Sequence, residues 1–90
     1  MGIYKKKPVV IEAFQFGIDF IPEWFMDKVS DNTVTLVNMG KLYQQEGYCI
    51  IKTLEGDHIG RIGEYIIKGV KGELYPCKED IFKMTYEEVK

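Results

Sequence analysis

The chain has 90 residues, 46% hydrophobic and 29% charged, a composition that fits one globular domain over residues 1–90 and excludes a disordered chain. A core this small makes self-association a ready source of extra stability. Twelve basic side chains against fourteen acidic ones leave a formal charge of −2, which gives no general attraction to nucleic acid. No apolar run approaches the ~20 residues of a membrane span, and the run after Lys5-Lys6-Lys7 is too short for a secretion signal, so the expected location is the cytoplasm.

In chain order, the three lysines read as a solvated edge rather than a nucleic-acid patch. Residues 8–16, PVVIEAFQF, are rich in β-branched and aromatic side chains and open on a proline, as a first strand can. Gly17 and Asp19 break that run. Apolar residues then recur at helical spacing over 21–29, with Pro22 and Glu23 placed where a helix begins. Trp24 reads as the anchor of this helix on a sheet.

Ser30-Asp31-Asn32 is a turn cluster, and 33–37 (TVTLV) is a strand by composition. Asn38-Met39-Gly40 supplies a turn before 41–44. The run 48–54 (YCIIKTL) predicts a strand buried on both faces, and Glu55-Gly56-Asp57 a hairpin. Short strands follow at 58–62, 65–68 and 73–75. Pro76 is expected to end the last of these because it lacks a donor. Residues 78–82 suit one helical turn and 85–89 a closing strand. The fold class is α+β: a small, strongly bent antiparallel sheet, or a partly closed barrel, with one packed helix. Its strand edges favour a homo-oligomer.

Chemistry is sparse. Cys49 and Cys77 stand apart with no CxxC pair, so they read as packed thiols, and one histidine with two scattered cysteines cannot close a metal site. His58 is accompanied by no nucleophile motif, Walker loop or dinucleotide fingerprint, so no catalytic residue and no cofactor is assigned. Binding is easier to argue. His58, Arg61, Lys68, Lys71 and Lys78 place five potential cations in a glycine-punctuated segment, interleaved with Tyr65, Tyr75, Phe82 and Tyr86. Arginine and lysine suit phosphates, tyrosine rings can stack on a base, and glycines let backbone N–H groups approach an anion. The candidate ligand-binding set is therefore His58, Arg61, Lys68, Lys71, Tyr75 and Lys78. The competing reading is that strand tyrosines pack and lysines reach into water. Glu64, Glu73, Glu79 and Asp80 dilute the positive field.

The opening PVVIEAFQF and the closing GEYIIKGVKGELYPCKEDIFKMTYEEV together resemble a family of small proteins encoded by tailed phages and prophages, with Glu64 where an aspartate is expected. The middle, 20–54, carries no such likeness. The resemblance implies an accessory protein without catalytic residues, acting inside the bacterial host. Its expected role is counter-defence by sequestering a small phosphorylated nucleotide signal, ADP-ribose-like in class. The alternatives are a module that inhibits a host protein and a structural or replication accessory.

Overall fold

A computed structural model describes residues 1–5, 7–39 and 47–89, so Lys6, Gly40 and the expected 41–44 segment lie outside the described residues. Eight elements follow one another: β1 (Glu12–Gln15), α1 (Glu23–Ser30), β2 (Val34–Val37), β3 (Tyr48–Thr53), β4 (Gly56–Arg61), β5 (Tyr65–Lys68), β6 (Leu74–Cys77) and α2 (Glu79–Thr85). The α+β class holds. The strands form two antiparallel sheets of three, ordered β1-β5-β6 and β2-β3-β4.

The expected barrel does not form, because neither sheet closes. The β3–β4 hairpin turns at Leu54-Glu55, where Gly56 takes φ 119° and the Thr53 hydroxyl donates to the Gly56 carbonyl at 2.6 Å. The chain then leaves this sheet at Ile62-Gly63. There Gly63 donates to the Phe16 carbonyl at 2.8 Å, and Phe16 donates back to Glu64 at 2.8 Å. Those bonds attach the connection to β1, so β5 joins β1 instead of extending the sheet beyond β4. The strands β4 and β6 then lie against one another without a ladder between them.

Side chains alternate across each strand, so each sheet has an inner face. Phe14, Ile66 and Leu74 from one sheet meet Val34, Cys49 and Ile51 from the other, with Phe16 and the helical Phe25 completing the buried cluster. Edge-to-face contacts join Phe25 to Phe14 at 4.9 Å and Trp24 to Phe14 at 5.6 Å. Trp24 thus anchors α1, as its spacing predicted. Ile67 is buried outside this cluster, beside Ala13 and Tyr75 in register, on the other face of its sheet. The helix α2 lies over that face, where Phe82 stacks on Tyr65 at 4.0 Å with rings 4° apart.

Three boundaries differ from expectation. β1 starts at Glu12 rather than residue 8, because only Glu12–Gln15 pairs with β5. Pro76 lies inside β6 opposite Ile66 instead of ending it. β6 is an edge strand, where a missing N–H can face away from the ladder. The closing strand at 85–89 is absent. α2 continues to Thr85, whose hydroxyl donates to the Ile81 carbonyl at 2.8 Å, and Tyr86 caps it in extended conformation. Among the described residues no helix is long and apolar enough to cross a membrane.

Candidate functional site

Two open grooves mark the surface. The first, of about 1010 Å³, runs between the two sheets at the end of α1. Lys28, Asp31 and Thr33 form one wall, Lys52, Glu55 and His58 of the β3–β4 hairpin another, and Glu73 to Tyr75 a third. Two of the six candidate ligand residues, His58 and Tyr75, therefore line one concavity although they belong to different sheets.

The other four lie elsewhere and do not line it. Arg61 ends β4, opposite Tyr48, and is exposed. Lys68 ends β5, with its Nζ 5.9 Å above the Trp24 ring in a cation–π contact. Lys71 sits in the β5–β6 turn, where its backbone N–H donates to Glu73 Oε2 at 3.0 Å. Lys78 is the N-cap residue of α2 and makes no capping bond through its side chain.

The charges of the inter-sheet groove are unequally committed. The Asp31 carboxylate accepts from the Thr33 N–H at 2.8 Å, and hydrogen bonding with Thr33, more than nearby Lys28, holds its pKa below the usual value. The Glu73 carboxylate is engaged by Lys71 N–H. The ion pair between Lys83 and Glu79 takes neither Lys28 nor Lys52, and these two form no ion pair among the described residues. Burial first, and then a side-chain hydrogen bond with Tyr86, push the Tyr75 phenol up to about 12. Its hydroxyl is thus engaged, and the residue shares the outer face of its sheet with Ile67. Sequence reasoning missed Lys28 and Lys52, because only the stacking of the sheets brings the end of α1 beside the hairpin.

The second groove, of about 950 Å³, follows residues 9–14 along the free edge of β1. Phe20 and Trp24 line one side, and Tyr65, Phe82 and Tyr86 the other. Phe20 is 100% exposed, an unusual position for so large an apolar ring. Glu12, Asp19, Glu87 and Glu88 rim the groove against a single cation, Lys83, which is itself paired with Glu79 at 3.2 Å. From sequence, Trp24 reads as a helix anchor and Tyr65, Phe82 and Tyr86 stand among the candidate cations; only the fold brings them together with Phe20.

Cys49 and Cys77 are both free thiols, the first buried and the second half-buried. Among the described residues no group of three or more His, Cys, Asp or Glu side chains could hold a metal ion. Comparison of the chain with protein-family models, curated proteins and solved structures gives no significant match.

Proposed function

We infer that this chain is a binding protein with no catalytic chemistry of its own, and that it holds a small phosphorylated nucleotide-type ligand between its two sheets. The presence of His58 and Tyr75 in the lining of one groove, together with the cations Lys28 and Lys52, carries this reading. Phosphate oxygens gain from several charged donors at once, and Lys28 and Lys52 form no ion pair among the described residues. The groove along β1 suits such a ligand less well, since its four carboxylates face one lysine already paired with Glu79, whereas Asp31, Glu55 and Glu73 here face Lys28 and Lys52. The likeness to tailed-phage accessory proteins supports sequestration of an ADP-ribose-like defence signal as the purpose of the binding. Such a role needs affinity and no turnover.

Thermal melting and calorimetric titration with ADP-ribose and with inorganic pyrophosphate test this. Melting temperature should rise with the logarithm of excess ligand, since a hundredfold excess over Kd adds about 2.7 kcal/mol. His58→Ala and Lys52→Ala should each weaken binding about tenfold, the loss of one hydrogen-bonded contact. Arg61→Ala, outside the groove, should leave affinity unchanged. A melting temperature flat with both probes, or binding lost in Arg61→Ala and kept in His58→Ala, sinks the reading. Recovery of chemically altered ADP-ribose from the complex would make the protein an enzyme instead.

A further inference from the structure

The aromatic groove along β1 has features that the inter-sheet site does not use. It runs beside an edge strand, its walls are rings, and its rim carries four carboxylates. Its occupant should therefore be an extended polypeptide with apolar side chains for the walls and cations for the rim. A free strand edge offers backbone groups to such a segment, and aromatic pockets select alternate side chains.

The chain carries a segment of this kind. Residues 1–5 and 7 take no regular secondary structure, and Met1, Ile3 and Tyr4 are almost wholly exposed, so their apolar surface is buried against nothing in the single chain. Lys5 and Lys7 follow them directly, so apolar and basic groups succeed one another within a few residues. None of the described residues 1–5 and 7 lines the groove of its own chain, whose wall begins at Val9. We propose that Ile3, Tyr4, Lys5 and Lys7 of a second copy occupy this groove, with Ile3 and Tyr4 against the Phe20, Trp24 and Phe82 rings and Lys5 and Lys7 on the acidic rim. The exchange is reciprocal. Each chain lends its segment and receives its partner's, which closes a two-fold dimer.

The arrangement explains two exposures with one contact: a fully exposed Phe20 on the groove and a fully exposed Ile3 and Tyr4 on the segment. It also pairs charges that the single chain leaves apart. The rim supplies an excess of negative charge, and the segment carries lysines and no acid. Opposed patches of this kind steer association and weaken with salt.

Sedimentation velocity of the full chain over a concentration series tests the proposal. The wild type should form a dimer that dissociates as sodium chloride is raised. A segment variant, Ile3→Asp with Tyr4→Asp, and a groove variant, Phe20→Asp, should each weaken dimerisation about tenfold or more, the loss seen when an interface anchor is removed. These positions are fully exposed in the single chain, so the far-UV spectrum and melting curve should match the wild type at concentrations where it too is monomeric. Mixing the two variants should restore a heterodimer, because one intact segment then meets one intact groove. A wild type that stays monomeric overturns the proposal, as does a dimer indifferent to both variants or a mixture that fails to associate. Capture of a different polypeptide by a monomeric wild type would give the groove another occupant and overturn it too. Nucleotide binding is measured on separate residues, so either conclusion can fail alone.

Discussion

Gly60 sits where the two sheets come closest. It pairs with Cys49 across the β3–β4 hairpin, and a Cβ built there would lie 2.8 Å from Ile66 Cδ1 and 2.9 Å from Cys49 Sγ. Both neighbours are fully buried, so neither can swing into solvent to make room. Gly60→Ala should therefore lower stability by about 1–3 kcal/mol, the usual cost of overpacking a core, seen as a fall in urea midpoint at unchanged slope. A midpoint equal to the wild type would show that the sheets can part at no cost. Glycine is used here for its small size, whereas at Gly56 and Gly63 a positive φ requires it. Composition shows that this stretch is glycine-rich. It cannot separate those two uses, because the atoms that crowd Gly60 come from β3 and β5.

At the scale of elements, α2 is the part held by the fewest groups. It has no side-chain N-cap, and none of its residues is fully buried. What ties it down is Phe82 stacked on Tyr65, Gln15 donating to Glu79 Oε2 at 2.8 Å, and Tyr86 tilted against Phe82 at 5.0 Å. Phe82→Ala should remove the stack and free the helix while leaving the core cluster intact. Amide exchange measured residue by residue should then speed up across Glu79–Thr85 and at Ile67 beneath it, with Cys49 and Ile51 still protected. Uniform loss of protection would mean that α2 is part of the cooperative unit. The sequence marks a helical turn at 78–82 correctly but reads 85–89 as a strand. Thr85 and Tyr86 favour extended backbone by propensity, but Thr85 closes the helix through its hydroxyl bond to the Ile81 carbonyl and only Tyr86 is extended.

For the whole molecule, the titrating groups in and around the sheets set an alkaline limit. Burial raises the Cys49 thiol from 9.0 to about 11, and burial with the Tyr86 bond raises Tyr75 from 10.0 to about 12. In both cases the folded state keeps a proton that the unfolded chain releases. This stability is complete below the unfolded values and is lost as pH climbs through the folded ones. The urea midpoint should hold steady up to about pH 9 and decline from there to about pH 12. Cys49→Ala, whatever it costs at neutral pH, should make that decline shallower. A midpoint independent of pH across this range would remove both groups from the account. On the acid side, Asp31 and Glu79 have lowered values, so their contribution disappears as pH falls, but both carboxyls are too exposed for it to count for much. What the sequence alone determined was local: the α+β class, the helix anchored by Trp24, the β3–β4 hairpin and the strand at Tyr65–Lys68, all written in side-chain periodicity and turn residues within a few positions. Only the tertiary structure decided that six strands split into two stacked sheets, that His58 and Tyr75 border one groove while Arg61 and Lys78 stand apart, and that six aromatic residues from distant segments line one acid-rimmed groove. Those outcomes depend on which strands pair and where the chain crosses between sheets, and contacts of that range leave no local signature.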